Sequence, residues 1–303
     1  MLELAWTVTE LGMNDLAEDD AEEQMGTKSK YWVRLPDDDR LWLMKLSRVA
    51  NDGFTSGEDW AEWLVQHLAA LLGVPAATIR PSRFEGSRAC VSRSMLSGPD
   101  ERLEHGNSLL AGAVPDYTQV KGHNVNYTVG NVKAALDGVR PPTENVELSD
   151  FTAYDAWCGY VVMDAWLAAQ DRHDENWAVI QRDDLRCLAP SFDHGNALGF
   201  QLRDDARLRH LQEDTLATWA SRGASRQFAD RPTLVGLALS ALRLASLQAQ
   251  QFWIERLDAV ITSDVESVVS AVPTDTMSEV GHTFVVRLLE ENRRRLLDGY
   301  KSR

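Results

Sequence analysis

The chain has 303 residues, 44% hydrophobic and 25% charged, ordinary proportions for a globular protein with room for one large domain or two lobes. A formal net charge of −15 argues against direct nucleic-acid binding and against an anionic membrane surface, since both require clustered Lys and Arg. Cys90, Cys158 and Cys187 show no paired metal spacing, no apolar run reaches membrane-span length, and Met1–Leu11 lacks a secretion signal, so the composition reads as a cytoplasmic protein with reduced thiols.

Residues 13–24 carry Asp15, Glu18, Asp19, Asp20, Glu22 and Glu23 in close order and read as a solvated or mobile segment. In the following Gly26-Thr27-Lys28-Ser29-Lys30, backbone N–H groups with Lys28 or Lys30 suit a phosphate. The run is neither G-x-G-x-x-G nor a Walker A loop, and a surface turn is its commoner meaning. Tyr31–Leu35 and Leu41–Leu46, separated by Pro36-Asp37-Asp38-Asp39, predict a β-hairpin. Apolar residues at helical spacing (Trp60, Trp63, Leu64, Leu68, Leu71) predict a helix over 59–72, stopped by Gly73. Arg88–Met95 reads as a further strand, and Ser97-Gly98-Pro99 as a boundary between an N-lobe over 1–97 and a C-lobe over 98–303.

Beyond that boundary the pattern is mostly helical. Phe151–Gln170 is a long apolar helix leading directly into Asp171-Arg172-His173-Asp174-Glu175-Asn176. Short strands at 177–180 and 185–188, turning at Asp183-Asp184, set that loop and Phe192-Asp193-His194-Gly195 at opposite ends of one hairpin. Helices around 234–261 and 278–297 complete the chain, the second with a basic end, Arg293-Arg294-Arg295, favourable to its dipole. The expected class is α+β: a small β-rich N-lobe and a larger helical C-lobe in the two-lobed protein-kinase outline.

An Asp followed five positions later by an Asn, with a further Asp on the next hairpin, is the spacing that phosphoryl transfer uses. In that reading Asp171 accepts the proton of an attacking hydroxyl, while Asn176 and Asp193 ligate magnesium through oxygen. Each residue has a plainer reading as a helix end or turn cap. Lys45 sits among Leu43, Met44 and Leu46, where a buried cation needs a partner. Glu62 on the following helix is the natural counter-ion and Glu58 the competing one. The plainer alternative for Lys45 is an edge-strand side chain that snorkels to water. His173-Asp174 and Asp193-His194 also allow a metal phosphohydrolase, although His67, His105, His123, His210 and His282 offer no pairing to complete one.

These residues resemble the HipA-like serine/threonine kinases over most of the chain from Gly26 onward. The likeness rests on Met44-Lys45-Leu46, on Ala61-Glu62-Trp63-Leu64 running to Leu72-Gly73-Val74-Pro75, and on Val91-Ser92-Arg93. It continues through Trp166–Trp177, Leu188-Ala189-Pro190-Ser191-Phe192-Asp193-His194-Gly195 and Val272-Pro273-Thr274-Asp275. The resemblance implies Asp171 as catalytic base with His173 supporting its loop, and Asn176 and Asp193 as magnesium ligands. It implies Lys45, oriented by Glu62, on the ATP phosphates, the loop at Gly26, Thr27 and Lys28 around them, and the backbone of Ser92, Arg93, Ser94 and Met95 holding adenine. Its expected cofactors are ATP and Mg2+, and its expected substrate is a protein with a Ser or Thr acceptor.

The resemblance also implies a small antitoxin-like or N-subdomain-like partner, since only about two dozen residues precede Gly26 where full-length members carry a subdomain. Glu23 occupies the place of a regulatory serine, which leaves Thr27 and Ser29 as acceptors for autophosphorylation. The loop lacks the small residue and Gln common beside its Gly. The alternatives are a kinase for a small molecule or biosynthetic peptide, and an ATP-binding pseudokinase. Intact Lys45, Asp171, Asn176 and Asp193 speak against the latter.

Overall fold

The hairpin expected at 31–46 forms the centre of a larger sheet in the computed structural model, which describes residues 4–17, 22–23, 30–118, 120 and 123–302. Strands β1 (Thr9–Leu11), β2 (Glu22–Glu23), β3 (Lys30–Leu35), β4 (Asp38–Leu46), β5 (Ile79–Phe84) and β6 (Ser87–Arg93) build one sheet in the order β1-β5-β6-β4-β3-β2. Alternation along β4 sends Trp42 and Met44 into a small core with Val33 and Val91, so Leu43 and Lys45 face the other way. The 13–24 stretch is only partly the solvated segment expected. Met13–Asp15 forms one 3-10 turn, Leu16 bridges Val33 and Ala17 is buried.

β5 escaped the sequence reading because Pro81 argues against a strand. Its other neighbour, β1, pairs only with Ser82–Phe84, leaving Pro81 on a flank where no N–H is needed. Helix α1 (Glu58–Leu72) packs across β5 and β6 and ends at Gly73, whose φ of 74° is a left-handed conformation that glycine adopts without strain. On its outer side, Trp6 sits edge-on to Trp63 at 5.3 Å.

A second sheet, β7 (Glu101–His105), β8 (Ala178–Arg182) and β9 (Leu185–Leu188), lies among helices α2 (Gly106–Ala113), α3 (Val129–Ala135) and α4 (Ala153–Leu167). α4 is buried on every side and starts at a capping box, with Thr152 and Asp155 each accepting from the other's backbone. The remaining helices are α5 (Asp204–Gln212), α6 (Leu216–Ser221), α7 (Leu234–Leu244), α8 (Leu247–Ala259), α9 (Thr262–Ser270) and α10 (Glu279–Lys301). The single helix expected over 234–261 is two, because Ser246 caps a new one by accepting from the Ala249 N–H. Together these elements make the two-lobed, kinase-like α+β fold. No described helix is long and apolar enough to cross a membrane.

Candidate active site

β3 and β4 place Lys30 and Lys45 directly opposite each other in register, so both ammonium groups leave the same sheet face. Lys45 Nζ lies 2.8 Å from Glu62 Oε1 and 2.9 Å from Asp193 Oδ1. Lys30 Nζ reaches the other oxygen, Asp193 Oδ2, at 3.2 Å. Glu62 is therefore the counter-ion of Lys45, while Glu58 instead holds Arg48 and Ser56. Burial by itself would lower the Lys45 pKa, but the carboxylates of Asp193 and Glu62 hold it well above the usual lysine range. Burial likewise opposes ionisation of Asp193, and Lys45 and Lys30 overcome it, keeping that carboxyl far below its ordinary value.

Glu62 does a second job. Its Oε2 accepts the backbone N–H of His194 at 3.0 Å, tying α1 to the segment that carries Asp193. Asp193 itself adopts φ 61°, a left-handed conformation uncommon for a non-glycine residue and of the kind found at functional sites. His194 is buried beside the same site: its ring bonds Ser191 Oγ at 2.8 Å, and burial lowers its pKa to about 3.

The loop bearing Asp171 is organised from inside by Arg172, which the sequence reading passed over. Its guanidinium is buried, makes a two-pronged ion pair with Asp164 at 2.7 Å on each arm, and donates to the Asn176 carbonyl and to Ser191 Oγ. One side chain thus fastens α4, the Asp171 loop and the start of the Asp193 segment together. An Arg directly after Asp171, with Asp164 eight positions before it on an apolar helix, was the available signal. Asn176 Nδ2 donates to the Asp171 carbonyl at 2.7 Å, so its amide oxygen is the atom left for a ligand. Asn196, also unforeseen, donates from Nδ2 to Asp171 Oδ2 at 2.5 Å.

A cavity of about 270 Å³ opens between the sheets, with Trp32, Leu43, Leu96, Leu103 and Phe192 as apolar walls. Lys30, Lys45, Asn176 and Asp193 give it a charged and polar end. Ser92, Arg93, Ser94 and Met95 line it, but the N–H groups of Arg93 and Ser94 are already spent on Thr78 and Leu41 carbonyls. The Arg93 side chain pairs with Asp38 at 2.7 Å. His173 lines the same cavity, accepting the Glu175 N–H at Nδ1. An adjoining recess is shared by Asp171, Asn176, Asp193 and Asn196, so the expected base and the two expected metal ligands do come together. Gly26, Thr27 and Lys28 lie outside the described residues. Among the described residues, no group of three or more His, Cys, Asp or Glu side chains is placed to hold a metal.

An apolar slot closed by two lysines and an Asp–Asn pair suits a nucleotide carrying one hard cation, since magnesium takes one or two protein oxygens and keeps substrate phosphates and water for the rest. No protein-family model and no curated protein matches the sequence. Solved structures do. CtkA, described as a proinflammatory kinase of Helicobacter pylori, superposes with a TM-score of 0.71 at 14% identity, covering 98% of each chain. The fold is that of the HipA-like kinases. HipA of Shewanella oneidensis MR-1, solved with HipB and operator DNA, aligns with a TM-score of 0.57 at 11% identity, covering 96% of this chain and 69% of that one. At such identities the HipA-like likeness is one of fold, and the chemistry rests on the side chains above.

Proposed function

We propose that this protein is an ATP- and magnesium-dependent phosphotransferase acting on a serine or threonine hydroxyl of a cytosolic protein. The observation that carries the reading is the convergence of Lys45, Glu62 and Asp193 at the polar end of the cavity, beside a recess containing Asp171 and Asn176. Mg–ATP, when bound, supplies the transferable phosphoryl group and a divalent charge over its phosphates. Asp193 and the amide oxygen of Asn176 would hold the metal, and Lys30 and Lys45 would offset phosphate charge. Asp171 takes the proton of the acceptor hydroxyl as its oxygen bonds to phosphorus and ADP leaves. Positioning and charge stabilisation are the main tools of such a site, and the contacts that Arg172 and Glu62 make serve to preorganise it.

We place the lobe division at Ser97–Gly98, with 1–97 contributing the lysines and Glu62 and 98–303 contributing Asp171, Asn176 and Asp193. The Shewanella neighbour, solved with HipB, supports a small antitoxin-like partner for this chain as well.

The test is incubation with labelled ATP and Mg2+, alone and with lysate. Label is expected on the protein itself or on a lysate protein; Asp171→Ala should abolish it and still bind nucleotide. Nucleotide binding by the wild-type protein with no transfer under any of these conditions would make it a binding protein rather than an enzyme.

A further inference from the structure

We propose that Asn196 is a positioning residue for the base, fixing the Asp171 side chain so that its second carboxylate oxygen is presented to the acceptor hydroxyl. The proposal rests on the phosphotransferase reading. It starts from the 2.5 Å contact between Asn196 Nδ2 and Asp171 Oδ2. An ionised carboxylate only accepts hydrogen bonds, so the amide nitrogen, not the oxygen, must face it. Asn176 grips the same residue from the other side, through its backbone carbonyl at 2.7 Å. Asp171 is thus held at main chain and side chain by two different asparagines, and Oδ1 is its remaining polar side-chain atom.

The grip is worth something only if Asn196 is itself held. Its neighbours Ala197 and Leu198 are fully buried. The Ala197 N–H donates to the His194 carbonyl at 3.0 Å, and the Leu198 N–H to the Leu167 carbonyl at 2.8 Å. That last bond anchors the segment to the end of α4, a few residues before Asp171. Leu198, with φ 60°, is held in a left-handed conformation that an unrestrained leucine avoids. Asn196 also lies three positions after Asp193, on the segment that Glu62 ties to α1. A displacement of the metal-binding end would therefore be felt at the base.

A base out of its productive rotamer costs rate and leaves nucleotide affinity alone, on the order of ten- to a hundredfold in kcat for an ångström-scale misplacement. Asn196→Ala should show that loss with KM and Kd for ATP within about twofold of wild type. Asn196→Asp keeps shape and volume but replaces the donor by a second carboxylate against Asp171. A donor role predicts that Asp is tolerated no better than Ala; a space-filling role predicts near-normal Asp. Wild-type kcat in Asn196→Asp, or nucleotide affinity falling in step with kcat in Asn196→Ala, overturns the proposal.

A second measurement needs no turnover. In nucleotide-free protein the Tm loss of the Asp171→Ala, Asn196→Ala double variant should match the larger single loss, because the two changes remove one shared bond. Strictly additive losses would mean the contact is absent and overturn the proposal whatever the activity. Absence of transfer by the wild-type protein, with coupled Tm losses, would count against the phosphotransferase reading and leave the Asn196–Asp171 contact established.

Discussion

Removing Glu62 should damage both the stability and the chemistry of this protein, by amounts that its two contacts allow to be worked out separately. Glu62 is 2% exposed and spends one oxygen on Lys45 and the other on the His194 N–H. Glu62→Ala leaves that buried N–H without an acceptor, a cost of about 1–3 kcal/mol. It also removes one of two counter-charges from Lys45. Because Asp193 remains, this second cost stays below the roughly 3–5 kcal/mol of stranding a buried ion completely. A total near 3 kcal/mol corresponds to a Tm fall of about 6 °C, taking about 2 °C per kcal/mol for a chain of this size. Glu62→Gln keeps one acceptor oxygen and the volume, so about half that fall is expected. Both variants leave Lys45 oriented by Asp193 alone, and transfer from labelled ATP should drop by on the order of tenfold or more. Thermal melts followed by circular dichroism, with the transfer assay in parallel, read the two effects independently. Glu62→Ala melting with the wild-type protein, or Glu62→Gln retaining full transfer, would refute the reasoning.

Lys30→Ala should raise KM for ATP more than it lowers kcat, since Lys45 remains to orient the phosphates; unchanged KM in steady-state kinetics would remove Lys30 from the phosphate site. Acid should destabilise the fold through two buried histidines: burial lowers His194 to about 3 and His67 to about 4, from 6.5. Between those values and 6.5 the unfolded chain binds protons that the folded chain refuses, so their stabilisation is complete above about pH 6.5 and declines as pH falls, by up to about 1.4 kcal/mol per pH unit for each histidine. His194→Asn should therefore flatten the dependence of urea-unfolding free energy on pH between 6.5 and 4.5, and an identical slope would show that the ring is accessible to protons. Gly106→Ala should cost more than about 2 kcal/mol, because the added carbon would sit 2.2 Å from the Trp177 ring and 2.6 Å from the Asp174 carbonyl, neither a freely moving group. A melting curve like wild type for that variant would show that the Asp174–Trp177 turn gives way easily.

Much of the frame was legible in the one-dimensional pattern because its signals are local. The 31–46 hairpin announces itself by two aromatic runs around an Asp-rich turn, α1 by the spacing of its apolar residues and its glycine stop, and the two candidate loops by the separation of Asp171, Asn176 and Asp193. The pairing of Lys45 with a glutamate on α1 followed from the cost of burying a lone cation. Glu62 was preferred over Glu58 from the sequence; in the structure both lie on α1, and its placement across β5 and β6 brings Glu62 to the lysine and leaves Glu58 to Arg48 and Ser56.

What was missed is contacts between elements: Arg172 and Asn196 were passed over, and Lys30 was named for a phosphate but not for Asp193. Arg172 gathers Asp164, Asn176 and Ser191; Lys30 meets a carboxylate 163 positions away; Asn196 meets one 25 positions away. No periodicity encodes such contacts, because they arise where separately folded elements converge. The sequence by itself therefore determined the kinds of side chain available for phosphoryl transfer and the local elements that carry them. Only the tertiary structure decided that Asp193 joins Glu62 in neutralising Lys45, and that Arg172 and Asn196 hold the Asp171 loop, because burial and distance, not residue type, set the energy of a charge.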